Sequence, residues 1–150
     1  MMNERFLSRG KRKDNGAWVE GYYACQSNHS CIPSALKYQH FIFKDVFMDF
    51  NLGGLGEYEV IPGTVGQCTG LKDKNSKMIF EGDILKFVSD DREISLYVVI
   101  WDTSLLSWQV QEISHYVKND YYGFDELCEF GDTELIGNIH DNLELLEAER

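Results

Sequence analysis

The sequence has little proline, little cysteine and no long apolar run. Pro33 and Pro62 are the only prolines in 150 residues, so the chain is interrupted at few positions. No stretch approaches the roughly 20 apolar residues of a membrane-spanning helix, so we expect no membrane partner. The first ten residues are polar and basic, which argues against a secretion signal and predicts a cytoplasmic protein. The four cysteines are then expected to be reduced thiols.

Basic residues are also scarce, with 14 Lys and Arg against 25 Asp and Glu and a formal net charge of -11. Nucleic-acid affinity comes mostly from neutralised phosphates, so this balance argues against a nucleic-acid partner. The charge is nevertheless uneven. Acids crowd the stretch 125–149, and a basic cluster near the N-terminus comprises Arg5, Arg9, Lys11, Arg12 and Lys13. Two solvated faces of opposite sign are the favoured interpretation, and head-to-tail self-association or a local basic patch is the alternative.

One pattern is present twice in the chain. Residues 10–22 read GKRKDNGAWVEGY, and residues 70–83 read GLKDKNSKMIFEGD. Each copy has a glycine, a basic stretch, an Asp/Asn-centred turn, an apolar strand and Glu-Gly. Asn and Gly tolerate positive φ, so the pattern predicts hairpins that turn at Asp14–Gly16 and Asp73–Ser76. The glycines expected to serve as structural turn residues are Gly10, Gly16, Gly21, Gly70 and Gly82.

Short apolar runs between turn residues continue to His140 and predict a mainly β fold of antiparallel hairpins. We expect a β-rich lobe at 1–63, with a variable insertion at 26–57, and a second lobe at 64–150. In the second lobe, short strands with tight turns predict a small SH3-like barrel, because closure removes exposed sheet edges, followed by a short C-terminal helix. The stretch 37–50 is ambiguous: its aromatic content favours a strand, but its apolar residues also have helical spacing.

Three blocks of the sequence resemble the YopX-like proteins of phages and prophages. They are MNERFLSRGKRKDNGAWVEGYY at 2–23, VGQCTGLKDKNSKMIFEGDIL at 65–85 and IGNIHDNLELL at 136–146. The chain departs from the family pattern, which usually has glycine in place of Ser76, an aromatic in place of Cys68 and proline in place of Leu143. The resemblance implies a β-rich intracellular phage-type protein and brings no catalytic residues with it.

Two sets of residues could form a metal or catalytic site. Cys25, His29, Cys31 and His40 are ligand types that zinc prefers, but five residues separate the cysteines where two to four are typical. We therefore expect no metal and no other cofactor. Four acids near strand ends could act as acid and base or hold a cation, but Glu-Gly after a strand more often marks a bulge or corner. These acids are Glu20 with Asp83 and Glu81 with Asp102.

Two further groups could form binding surfaces. Lys11, Arg12 and Lys13 with Trp18 combine cations and an aromatic ring, as single-strand nucleic-acid binders do, although a lysine-rich edge also protects a strand from aggregation. The aromatic residues of the second lobe could line a peptide groove, but the core of the barrel is the favoured interpretation. They are Phe87, Tyr97, Trp101 and Trp108, and Trp101 and Trp108 are both predicted to lie largely in the core.

The sequence favours a non-enzymatic phage or prophage accessory protein that acts by protein binding or self-assembly. A homo-oligomer, most simply a two-fold dimer, would hide aromatic area at a contact that includes Tyr38, Phe41, Phe43 and Phe47. A host or phage protein is the other expected partner. A weak single-stranded nucleic-acid binder and an enzyme with an unrecognised acidic site are the alternatives.

Overall fold

The computed structural model describes residues 4–27, 38–48, 52–89, 91–113, 121–123 and 133–147. The described part is mainly β and antiparallel, as predicted, with a helix α1 at Leu143–Glu147 and 3-10 turns at Glu4–Phe6 and Pro62–Thr64. The strands are β1 (Ser8–Lys11), β2 (Trp18–Ser27), β3 (Tyr38–Met48), β4 (Leu52–Glu59), β5 (Gly66–Lys72), β6 (Met78–Phe80), β7 (Asp83–Val88), β8 (Ile94–Asp102), β9 (Ser107–Glu112), β10 (Tyr121–Gly123) and β11 (Glu134–Asn138).

The chain groups into two compact units, Met1–Cys68 and Thr69–Arg150. The division predicted from the sequence falls slightly earlier, after residue 63, and stays a prediction. In the first unit the strand order is β4-β3-β2-β1-β5. The ambiguous stretch 37–50 therefore forms a strand between β2 and β4 over its described residues.

The first predicted hairpin joins β1 to β2 around Asp14–Gly16. The Arg12 amide donates to the Ala17 carbonyl (2.9 Å), and the Gly16 amide donates to the Arg12 carbonyl (3.0 Å). Gly16 has φ of 72°, a conformation that glycine adopts at little cost. The local turn chemistry of the sequence is thus sufficient to form this hairpin.

Gly10 and Gly21 lie within strands rather than at turns. A Cβ on Gly21 would stand 2.2 Å from the Phe43 carbonyl oxygen, and a Cβ on Gly10 would stand 3.2 Å from the Cβ of Val60. Strand glycines often mark such close approaches of neighbouring backbone. Gly70 also lies within a strand, β5, but there, as at Gly16 and Gly82 in turns, glycine suits a positive φ.

The described part of the first unit has a buried cluster at the base of the β2–β3 ribbon. Val19, Ile42 and Val60 are buried together, with Tyr58 and Val65 packed against them. β2 continues from Val19 to Ser27, and β3 begins at Tyr38 and reaches the core at Ile42. Ser27 and Tyr38 pair with each other at the end of the β2–β3 ribbon that is away from this core. The far end of the β2–β3 ribbon is consequently exposed.

The second unit has a five-stranded antiparallel sheet of order β10-β9-β8-β7-β11. Tyr97 and Val99 of β8 face one buried cluster, which includes Ile79 of β6. Val98, between them, faces the other cluster, where Leu145 and Leu146 of α1 also pack. Both faces of the central strand are therefore covered. The predicted C-terminal helix is confirmed, and the described strands form no closed barrel.

The second predicted hairpin joins β5 to β6 around Asp73–Ser76. The Asp73 amide donates to the Lys77 carbonyl (2.9 Å), and the Ser76 amide donates to the Asp73 carbonyl (2.9 Å). Ser76 has φ of 63°, in the left-handed region that glycine prefers. The glycine that the resemblance implies at this position would adopt this backbone conformation at little cost.

The prediction that Trp101 lies in the core is wrong. Trp101 pairs with Trp108 across β8 and β9, with ring centroids 5.1 Å apart, and 41% of its surface is exposed. Trp108 is half-buried and packs against the cluster that contains Tyr97, as does Phe87. Alternation along β8 puts Trp101 on the same face of the strand as Tyr97 and Val99. Trp101 is the last aromatic residue before the tip of the hairpin, however, and at that point the core has already ended.

Candidate binding surface of the first unit

Alternation along the strands places cationic and aromatic side chains together on one face of the first sheet. Residues opposite each other in an antiparallel pair point to the same side, and the strand registers pair Arg9 with Glu20, Lys11 with Trp18 and Tyr22 with Phe43. Val19 and Ile42, on the alternate positions, face the core. We call the first set the outer face; it comprises Arg9, Lys11, Trp18, Glu20, Tyr22, Phe41 and Phe43.

One end of the outer face is a cation–π cluster. The guanidinium carbon of Arg9 lies 4.8 Å from the Trp18 ring centroid, and Nζ of Lys11 lies 5.5 Å from it. Such contacts stabilise an exposed pair by about 0.5–1 kcal/mol. Trp18 is half-buried between these cations, so its ring is already in contact with protein groups.

Arg12 and Lys13 are the other two cations that were predicted as possible nucleic-acid contacts. They lie where the hairpin turns, and each is paired with an acid. Arg12 Nε donates to Asp14 Oδ1 at 3.0 Å, and Lys13 forms an ion pair with Glu59. The hydrogen bond from Arg12 holds the pKa of the Asp14 carboxyl below its ordinary value. The Arg12 guanidinium carbon also lies 4.6 Å from the Tyr58 ring centroid. Lys11 and Trp18 therefore lie together on one face, whereas the positive charges of Arg12 and Lys13 are balanced by neighbouring carboxylates.

The other end of the outer face belongs to the β2–β3 ribbon. Tyr22 is exposed opposite Phe43, and the Phe41 and Phe43 rings are half-buried with centroids 6.3 Å apart. Of the predicted oligomer contacts whose side chains are described, Tyr38 is the most exposed, at 64%. Tyr38 pairs with Ser27 and therefore lies on the opposite face of the ribbon from Tyr22, Phe41 and Phe43. Phe47 pairs with Gly53 through its backbone, and its side chain lies outside the described residues.

The opposite face of the ribbon carries Tyr23, Cys25 and His40. Cys25 lies opposite His40 in the register, and the Tyr23 hydroxyl is hydrogen-bonded to Nδ1 of His40 at 2.6 Å. Partial burial, with the nearby Cys25, raises the pKa of Tyr23. Both faces of the ribbon thus present aromatic rings. Of the zinc candidates, His29 and Cys31 lie outside the described residues, and the described residues contain no metal-ligand cluster.

The candidate acids have separate structural surroundings. Glu20 is exposed opposite Arg9. Asp83 is fully buried, and its Oδ2 accepts the Phe80 amide at 2.8 Å. Asp102 Oδ1 accepts the Ser104 and Leu105 amides, so this acid forms a turn. Glu81 is half-buried beside Gly82 in the turn before β7. Asp83 and Asp102 are thus each held by hydrogen bonds from backbone amides.

The two units differ sharply in charge. Residues 1–68 contain seven Lys and Arg and seven Asp and Glu, so their net charge is zero. Residues 69–150 contain seven Lys and Arg and eighteen Asp and Glu and carry the whole net charge of -11. A surface of the first unit can therefore approach a copy of itself without the long-range repulsion that the second unit would cause.

These features define a mainly β protein of two units, with an aromatic and cationic surface on the first. The family model described as "YopX protein" matches residues 9–147, and the chain belongs to this family. The resemblance seen in the three sequence blocks is thereby confirmed.

The fold also has a counterpart among solved structures. The chain is similar to the crystal structure of protein EF1440 from Enterococcus faecalis, with 20% identity and a TM-score of 0.52 over 93% of this chain and 96% of that chain. At this identity the likeness shows the fold alone. No curated protein matches the sequence. Among the described helices, none has the length and apolar character needed to cross a membrane.

Proposed function

We propose that this chain is a non-enzymatic phage or prophage accessory protein that acts by protein binding and self-associates as a two-fold dimer. The contact encloses the far end of the β2–β3 ribbon on both of its faces, with Tyr22 on the outer face and Tyr23 and Tyr38 on the opposite face. The observation that carries the proposal is the exposure of these three tyrosines on a unit of zero net charge. The half-buried Phe41 and Phe43 complete the contact. A cytoplasmic location and an SH3-like arrangement of the second unit are part of the proposal. The free thiols of Cys25 and Cys68 support the location, and the β7–β8–β9 meander supports the arrangement.

Aromatic rings are suited to this role. Tyr buries a large area at low conformational cost and keeps a polar hydroxyl for the rim, and it is enriched at interface centres. Among the described residues of the first unit, Val19, Ile42 and Val60 form one buried cluster. Exposed rings on the ribbon are additional to that core, so a second copy would bury area that the fold itself leaves in water.

Charge supports a dimer through the first unit rather than the second. Two second units carry -11 each and repel one another, whereas two first units carry no net charge. A two-fold axis through the ribbon would also bring each Tyr38 near the same surface of its partner, as an isologous contact requires. The contact is therefore expected to be apolar in its centre.

The proposal is tested with the double variant Tyr22→Ser/Tyr38→Ser. Light scattering of the wild type should give about twice the chain mass of 17.3 kDa. Because both side chains are exposed, the variant should melt near the wild-type temperature, while its dimer dissociation constant rises at least about tenfold.

Phe6→Ser is the matched control, since Phe6 is an exposed aromatic of the same unit outside the ribbon. This variant should dimerise like the wild type. A double variant that stays dimeric with the wild-type dissociation constant would remove the ribbon as the contact.

A further inference from the structure

The tip of the β8–β9 hairpin combines two unfavourable features. Leu105 and Leu106 are 64% and 74% exposed, the highest values among the described large apolar residues of the second unit. Leu106 also has φ of 53°, a left-handed conformation that costs a residue with a Cβ about 1–2 kcal/mol. Glycine or asparagine would serve this turn at lower cost, so the turn alone does not account for leucine here.

The tip is nevertheless well ordered by hydrogen bonds. Asp102 Oδ1 accepts the Ser104 amide at 2.7 Å and the Leu105 amide at 3.0 Å. Trp101, exposed next to this turn, is held edge-on against Trp108. Three apolar side chains, Trp101, Leu105 and Leu106, are thus displayed on a fixed hairpin end. Preorganised apolar anchors of this kind lose little entropy on binding.

The charge around the tip indicates the chemistry of its partner. No Lys or Arg is present between Arg92 and Lys118. Asp102 is the acid at the tip, Glu112 pairs with Tyr97 towards the base of the hairpin, and the unit as a whole has a net charge of -11. A second copy of this unit would be repelled, whereas a basic surface would be attracted. Local backbone strain at an exposed position is a recognised sign of a functional site.

We infer that the β8–β9 tip, formed by Trp101, Leu105 and Leu106, is a docking surface for a basic protein that presents an apolar face flanked by Lys or Arg. This contact is separate from the ribbon dimer and does not depend on it. In a dimer formed through the first unit, each copy would present one such tip, and each tip could bind one molecule of the basic protein.

Binding is tested with a synthetic helical peptide of Leu and Lys that has its leucines on one face, and with a scrambled peptide of the same composition. Calorimetry with the full chain should show tighter binding of the one-faced peptide. Leu105→Ser should weaken that binding about tenfold or more. Leu143→Ser, an exposed leucine of the same unit, should leave it unchanged. Equal binding of both peptides, no binding of either, or an unaffected Leu105→Ser variant would each overturn the inference.

Leu106→Gly provides an independent arm, since its effects on stability and on binding are expected to be opposite. Release of the strained backbone should raise the melting temperature by about 2–4 °C, while the loss of the side chain weakens peptide binding. A fall in melting temperature would mean that Leu106 is a structural residue and would overturn the inference. Light scattering of Leu105→Ser should match the wild type; a loss of dimer would assign the tip to self-association instead.

Discussion

At the scale of single residues, backbone conformation explains several positions that composition does not. Ser76, Arg92 and Leu106 have positive φ among the described non-glycine residues, and each lies at a turn. Their Cβ atoms make this conformation costly, whereas Gly16 adopts a similar one freely. The two related hairpins therefore offer a matched pair of positions, Gly16 and Ser76, with φ of 72° and 63°.

We predict that Ser76→Gly raises the free energy of unfolding by about 0.5–1 kcal/mol, because relief of strain exceeds the added freedom of the unfolded chain. Gly16→Ala should lower it by about 1–2 kcal/mol. No atom lies within 4 Å of a Cβ at Gly16, so the cost comes from backbone conformation and not from a clash. Denaturant unfolding with unchanged m-values measures both changes. A destabilised Ser76→Gly variant would show that the serine side chain has an unrecognised role.

Both hairpin turns were predictable from the sequence because turn chemistry is local. Asp, Asn and Gly act through their own backbone and need no distant contact. The position of Trp101 was not predictable, since an alternating strand looks the same before and after the core ends. One feature of the sequence could have indicated the exposed tip: Leu105 and Leu106 are two adjacent leucines in a tight turn. The predictions from the sequence did not use this feature.

At the scale of secondary-structure elements, one carboxylate links a turn to a distant strand. Asp73 is buried, and its Oδ1 accepts the amides of Asn75 (2.8 Å) and Lys77 (2.9 Å). Its Oδ2 accepts the amide of Leu135 in β11 at 3.1 Å. This contact spans 62 positions in sequence and was not predicted, because no local pattern pairs an acid with a particular distant amide. The ion pair of Lys74 with Glu134 (2.8 Å) lies beside it.

We predict that Asp73→Ala lowers the free energy of unfolding by about 2–4 kcal/mol, because three amides lose a charged acceptor. Asp14→Ala is the control; Asp14 is an exposed turn acid paired with Arg12, and its loss should lower the free energy of unfolding much less. Thermal unfolding of the two variants tests the contrast. Equal losses would mean that the buried carboxylate adds nothing beyond a surface pair.

The same carboxylate gives a pH dependence. Burial alone would raise the pKa of Asp73, but the amides of Lys77, Leu135 and Asn75 outweigh it and hold the pKa below the ordinary 3.8. The folded state therefore favours the ionised form, and this stabilisation is complete above the unfolded pKa and is lost as pH falls through the folded pKa. The stability difference between wild type and Asp73→Ala should accordingly shrink as the pH drops below about 4.

At the scale of the whole molecule, the sequence predicted the β class, the antiparallel hairpins and the family, and the structure and the family match confirm them. The predicted closed barrel is not formed by the described strands, because local patterns define strands but not which edges meet. The uneven charge was visible in the sequence. The division of this charge between the two units could not be predicted from the sequence, because it depends on the contacts that separate residues 1–68 from residues 69–150.

This distribution of charge gives the dimer a testable salt dependence. If two neutral first units meet through aromatic rings, salt has no attraction to screen and only reduces repulsion between the second units. A contact built on matched charges would respond in the opposite way, because the Debye length falls to about 3 Å at 1 M salt.

Sedimentation equilibrium of the wild type at low salt and at about 1 M salt is the most direct test of self-association through the first unit. We predict a mass of about twice 17.3 kDa at high protein concentration in both conditions, with a dissociation constant that does not rise with salt. A mass of 17.3 kDa in both conditions would contradict self-association altogether. A dimer that dissociates at high salt would contradict the apolar contact and assign the association to charge.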